Sequence, residues 1–247
     1  MAVCEHTRSA TIVAAVPPSR RGKGARGLGL ALRLLTHLGA LVPFALLLWD
    51  GAHNNLTVNP IQEITFRTGK TALVLLILSL ACTPINRVLG IKQVIPLRRP
   101  LGLYAFFYAS LHLLTFAVVD YGLDWDLIQQ AIVEKRYILA GFAAFLLLTP
   151  LAITSTKGWM RRLGKRWTVL HRLVYLAAPL VVLHFIWLVK GDIREPLLYG
   201  AGVAGLFALR APPVRRALTS LRYRLTRRSP RATRPPAAAP AGSSTWT

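Results

Sequence analysis

Six stretches of the chain are almost free of charge, and the polar residues crowd into the gaps between them. The stretches are Leu28 to Trp49, Gly69 to Thr83, Leu101 to Val119, Tyr137 to Ile153, Trp167 to Leu188 and Pro196 to Leu209. Their apolar residues run continuously instead of alternating, which selects helix over barrel strand. A helix needs roughly 17 to 25 largely apolar residues to cross about 30 Å of hydrocarbon. The second, fourth and sixth stretches are short on that scale, so each is expected to extend a few residues further. The pattern predicts an all-α fold, a polytopic membrane helical bundle with six transmembrane helices over residues 27–216. Residues 1–26 read as a flexible basic lead. Residues 217–247 read as a basic, Pro- and Ala-rich disordered tail that cannot bury enough apolar area to fold.

Composition agrees. The chain is 53% hydrophobic and 16% charged, where a soluble domain carries about 25% charged residues. The net charge of +22 invites a nucleic-acid reading, but the positions of the charges exclude it. Of 31 Lys and Arg residues, 24 lie between Arg8 and Arg33, between Arg87 and Arg99, between Lys157 and Arg166, and in the basic tail stretch from Arg210 onward. Eight of the nine acids lie in or at the edge of the other connections: Asp50 and Glu63, then Asp120, Asp124, Asp126 and Glu134, then Asp192 and Glu195. Basic loops stay on the cytoplasmic side, so both termini are expected in the cytoplasm. The apolar run Thr11 to Val16 is too short for a secretory signal and precedes the arginines. Cys4 and Cys82 form no CxxC or CxxCH pattern, which argues against a disulfide or a thioether-attached haem. The connections are too short for a flavin or nucleotide fold, no GxGxxG follows a strand, and no P-loop occurs.

Four of the six histidines, His37, His112, His171 and His184, fall inside the apolar stretches. His6 and His53 lie outside them and read as bland. A single membrane histidine can simply bond a neighbouring helix. Four of them on three helices, with no intramembrane acid to form a proton relay, point to a functional site. Neutral imidazole is an axial ligand of haem iron, and two imidazoles saturate the metal and favour electron transfer. Counting about 1.5 Å per residue from the cytoplasmic end puts His171 about 6 Å deep, His37 about 14 Å, His112 about 17 Å and His184 about 25 Å. His112 therefore suits His184 as an outer pair, and His171 lies near the inner face with His37 as a possible mate. Thirteen residues separate His171 from His184, which turns them about 140° apart on a straight helix. Either a kink at Pro179 brings both toward the interior, or only one faces a haem. Arg98, Arg99 and Arg172 could pair haem propionates or a flavin phosphate.

At these residues the chain resembles a known family. The stretches THLGALVPF (Thr36 to Phe44), TGKTAL (Thr68 to Leu73), TPINR (Thr83 to Arg87) and RRPLGLYAFFYASLHL (Arg98 to Leu113) carry the resemblance. So do PLAITS (Pro150 to Ser155) and RLGKRWTVLHRLVY (Arg162 to Tyr175), followed by His184 to Trp187. They are similar to the MsrQ (formerly YedZ) family, the haem-binding membrane subunits of the periplasmic protein-methionine-sulfoxide reductase system, within the ferric-reductase-like transmembrane superfamily. The resemblance spans roughly Leu28 to Arg216. It implies haem b, one or two, with His112, His171 and His184 as ligands and His37 as a further family histidine. It also implies FMN, an electron donor that is a cytoplasmic flavin reductase or the quinone pool, and a periplasmic molybdopterin subunit that reduces oxidised methionines in envelope proteins. The implied location is the bacterial inner membrane, with lipid around the bundle and substrate reduction on a separate chain. Two other classes stand beside this one. One is a transmembrane reductase acting directly on ferric iron or another external acceptor, and the other is a non-redox membrane scaffold.

Overall fold

The computed structural model describes residues 23–189, 191–214, 216–217 and 220. The lead up to residue 22 and nearly all of the tail expected at 217–247 lie outside the described residues. The described elements are helices: α1 (Lys23–Ala52), α2 (Pro60–Leu89), α3 (Arg98–Leu114), α4 (Trp125–Glu134), α5 (Arg136–Ile153), α6 (Lys157–Leu163), α7 (Lys165–Leu170), α8 (Val174–Leu188) and α9 (Arg194–Ala208). A 3-10 segment, Lys92–Leu97, leads into α3, and a second, His171–Leu173, joins α7 to α8. A π-helical turn, Thr115–Asp120, prolongs α3. Among the described residues no strand occurs.

Five helical segments are long and apolar enough to cross a membrane: Gly27–Ala52, Pro60–Leu89, Lys92–Asp120, Arg136–Ile153 and Lys165–Leu188. They contain the first five apolar stretches. The sixth forms α9, which has 15 residues. The short second stretch lengthens as expected, because α2 begins well before Gly69. Asn59 caps its start by accepting from the Gln62 N–H at 3.1 Å, and Pro60 follows at the first helical position. Gly90 ends α2 at φ 74, a left-handed conformation that costs a glycine little. The connection after α3 holds an extra element, the amphipathic α4. Its cap is Asp124, whose carboxylate accepts from the backbone N–H groups of Asp126 and Leu127.

The centre of the bundle is two helix pairs, α2 with α3 and α5 with α8. Their buried positions recur at helical spacing: Leu73, Leu76 and Leu80 on α2, Leu101, Ala105 and Tyr108 on α3, and Val174, Ala178 and Val182 on α8. Small residues let the helices approach, since Ala105, Ala144, Ala177 and Ala178 are all fully buried. α9 packs against α8 and α2, and α1 lies on the flank against α2 and α3. The outer face of α1 is bare, with Leu30, Leu35 and Leu38 more than 60% exposed. A continuous apolar face of that kind suits lipid and not water. Hydroxyls inside the bundle bond the carbonyl one turn back, as Thr65, Thr68, Ser110, Thr149 and Thr154 do, so none needs a partner in hydrocarbon.

The fully buried Tyr108 ties α1 to this centre by donating its hydroxyl proton to the Ala40 carbonyl at 2.7 Å. Tyr108→Phe removes that bond and keeps the ring. Thermal unfolding in detergent should show a loss of about 1 kcal/mol, the net worth of one hydrogen bond.

Candidate functional site

Two of the four membrane histidines come together. The rings of His112 on α3 and His184 on α8 have centroids 6.0 Å apart and planes at 89°. Each ring is fixed from behind in the same way. His112 Nδ1 lies 2.9 Å from the Thr65 carbonyl on α2, and His184 Nδ1 lies 2.6 Å from the Tyr137 carbonyl on α5. A carbonyl oxygen can only accept, so both Nδ1 atoms carry the proton and donate it. Both Nε2 atoms are then left with a free lone pair. That is the arrangement of a metal-binding imidazole oriented by an outer-shell acceptor.

The spacing fits one metal ion between the rings. Two imidazole nitrogens, each about 2 Å from a shared ion, put the ring centres about 6 Å apart. Two imidazoles are too few to hold a bare ion. Among the described residues no cluster of three or more His, Cys, Asp or Glu side chains assembles a metal site. A group that brings its own equatorial ligands, as haem does, is what the pair suits. Phe106 and Phe145 stack across α3 and α5, centroids 5.3 Å apart, and add apolar surface between the same helices.

The other two membrane histidines take different partners. His37 sits on α1 with its Nδ1 3.0 Å from the Tyr104 hydroxyl, and its ring meets the Tyr104 ring edge-on at 5.7 Å. His171 stacks on Trp167 with centroids 3.9 Å apart, and its buried Nδ1 has no hydrogen-bond partner among the described residues. His171 therefore lacks the carbonyl support that His112 and His184 share. The helical geometry between His171 and His184 departs from a plain α-helix at one end of the interval. α8 continues through Pro179, and the backbone tightens to 3-10 geometry at His171–Leu173 instead. His53 stacks on Trp49 and bonds its carbonyl at 2.9 Å, a local cap on the end of α1.

The basic residues differ in their surroundings. Arg98 opens α3 half-buried, and its carbonyl accepts from the Ser79 hydroxyl at 2.8 Å. Arg99 and Arg172 are exposed. A fourth guanidinium, Arg210, escaped the reading of the sequence because it looked like part of the basic tail. It turns inward just past α9, donates to the Leu80 carbonyl on α2, and donates to the Tyr175 hydroxyl on α8 at 2.6 Å. Its Nε is buried without a partner among the described residues. Arg210→Ala removes two bonds that dock the end of α9, and the cost in thermal stability should be on the order of 2 kcal/mol. A denaturation midpoint equal to that of the unaltered protein would show that α9 docks without it.

Two glycines also went unremarked. A Cβ built on Gly69 would stand 3.0 Å from His112 Nδ1, and one built on Gly141 would stand 2.6 Å from His184 Nδ1. The sequence did carry a signal: Thr65, Gly69 and His112 recur as Tyr137, Gly141 and His184, each 72 residues on (65 to 137, 69 to 141, 112 to 184).

Known proteins resemble the chain along this core. Residues 68–182 match the family described as ferric reductase like transmembrane component. That span includes His112 and His171 and stops just short of His184. A protein-methionine-sulfoxide reductase heme-binding subunit MsrQ of Xanthomonas euvesicatoria pv. vesicatoria is 49% identical over 187 residues, covering 73% of this chain and 86% of the relative. Its counterpart in Xanthomonas oryzae pv. oryzae is 48% identical over 185 residues, covering 72% and 85%. The MsrQ of Bordetella parapertussis is 45% identical over 188 residues, covering 75% and 91%. With such identity over most of the relatives' length, and with five apolar helices, the chain is a multi-pass membrane protein that belongs to the MsrQ family in the ferric-reductase-like transmembrane superfamily.

Proposed function

We propose that this protein is the haem b-containing electron-transfer subunit of a methionine-sulfoxide reductase system. On this reading it takes electrons from a cytoplasmic-side donor, a flavin reductase or the quinol pool. It passes them to a periplasmic molybdopterin subunit that repairs oxidised envelope proteins. The observation that carries the reading is the facing pair His112 and His184, with both Nδ1 protons held by backbone carbonyls. The relatives' name as heme-binding subunits of a methionine-sulfoxide reductase supports the choice of cofactor and system.

Haem held by His112 and His184 would supply a one-electron carrier, and ligation by two imidazoles would favour electron transfer over oxygen chemistry. The chain's own residues do the rest. His112 and His184 would each offer an Nε2 lone pair to the iron. The Thr65 and Tyr137 carbonyls hold the two rings in register and raise their basicity. Buried Ala105, Ala144 and Ala177 keep the helices close and water out. His171, with Trp167 against it, and His37, with Tyr104 against it, remain as candidate ligands nearer the inner face for a second haem. Arg98, Arg99 and Arg172 lie at that inner end, where they would meet haem propionates or the phosphate of FMN.

The direction of transfer rests on the family reading together with six spans and both termini in the cytoplasm of a bacterial inner-membrane protein. Charge asymmetry supports that topology: Lys157, Arg161, Arg162, Lys165 and Arg166 lie at one end of the bundle, and Asp120, Asp124, Asp126 and Glu134 at the other. In this topology α9 with the turn after it forms the last, short crossing.

Purified protein should show a low-spin b-type spectrum that sharpens on reduction by dithionite. His112→Ala and His184→Ala should each abolish the signal of this pair. Protein that carries no haem when haem supply is adequate would contradict the reading. In membranes, the reduced protein should pass electrons to the molybdopterin partner far faster than to ferric chelates. The opposite ranking would favour direct metal reduction, the activity suggested by the ferric-reductase-like match.

A further inference from the structure

The two histidine seats are built alike, and the likeness extends to a residue type that ordinary packing does not require. In an α-helix the carbonyl of one residue already accepts the N–H four residues on, and the Cβ at that later position leans back toward the carbonyl. The carbonyls that accept from His112 and His184 belong to Thr65 and Tyr137. The positions four residues on are Gly69 and Gly141, both well inside their helices. An imidazole that reaches such a carbonyl must lie across the space where that Cβ would stand. At Gly69 a Cβ would come within 3.0 Å of Nδ1 and 3.1 Å of Cε1 of His112. At Gly141 it would come within 2.6 Å of Nδ1, 2.9 Å of Cε1 and 3.2 Å of Cγ of His184. Glycine inside a helix is less favourable than alanine, so its presence at both equivalent positions calls for a compensating gain.

We propose that Gly69 and Gly141 are positioning residues for the haem ligands. Each leaves the gap through which an imidazole reaches the facing helix's backbone carbonyl, and together they set the approach of the two Nε2 atoms to the iron. The proposal rests on the haem reading of the His112–His184 pair. The seats are not equally tight. His184 makes the shorter carbonyl bond, 2.6 Å against 2.9 Å, and has the closer glycine. An added methyl group at 141 therefore displaces its ring further than one at 69. Neither substitution removes a ligand atom or a hydrogen-bonding group, so the effect is one of geometry alone.

The test uses full-length protein purified with haem, comparing Gly69→Ala, Gly141→Ala and Gly200→Ala with the unaltered chain. Gly200 is a matched control: its Cβ would press on Val182 of α8 at 3.2 Å, two residues from His184 but touching no histidine. The readouts are the ferric electron paramagnetic resonance spectrum and the haem midpoint potential, which a merely structural defect at equal haem occupancy leaves unchanged. The unaltered protein and Gly200→Ala should be low-spin with the same potential. Gly69→Ala should shift the low-spin signal and the potential, and Gly141→Ala should shift them further or lose part of the low-spin signal to high-spin iron. If Gly141→Ala yields no folded protein, Gly69→Ala decides alone. Glycine variants with unchanged spectra and potentials would overturn the proposal, as would a Gly200→Ala variant altered as much as they are. Unaltered protein without haem would overturn the haem reading itself, and the proposal with it.

Discussion

An imidazole N–H bonded to a backbone carbonyl of the facing helix, made once between α3 and α2 and again between α8 and α5, is the contact on which the rest of this bundle depends. It satisfies a ring nitrogen that hydrocarbon would otherwise leave unpaired, a cost of several kcal/mol. It assigns the tautomer, and so leaves a free Nε2 lone pair on each of His112 and His184, whose ring centroids lie 6.0 Å apart. It also demands that the two helices in each pair run close together. Glycine at 69 and 141 and the buried alanines at 105, 144 and 177 supply that closeness.

The bundle can then be seen as two similar halves that meet at the facing rings. The more peripheral elements hold those halves in place. α1 is fastened by Tyr108 to Ala40, and α9 by Arg210 to Leu80 and Tyr175. A Lys70–Glu195 ion pair also joins α2 to the start of α9. It is half-exposed, so it contributes little stability by itself. The bare apolar face of α1 shows why these fastenings matter: the helix has few contacts inward and a long surface for lipid.

Much of this was legible in the order of residues. Continuous apolar runs are what lipid requires, so the five long helices could be read directly. Depth along each helix paired His112 with His184, because the rise per residue varies little along a helical segment. Three things were not legible. α4 hid in a connection, since ten amphipathic residues resemble a polar loop until Ile128 and Ala131 are seen to be buried. Pro179 drew attention as a helix breaker, yet α8 runs through it and the departure from a plain α-helix falls at His171–Leu173. Arg210 shared the composition of the tail, and only its partners set it apart. The glycines opposite the histidines could have been found by comparing the chain with itself at a 72-residue shift (69 to 141, 112 to 184), which brings both seats into register.

The most direct measurement of the central claim is the position of iron in the haem-loaded protein, from anomalous scattering in crystals or density from electron cryomicroscopy. An iron atom should lie between Nε2 of His112 and Nε2 of His184, with both Nδ1 atoms still on the Thr65 and Tyr137 carbonyls. Iron found only beside His37 or His171, or bound through Nδ1 of either facing ring, would contradict it.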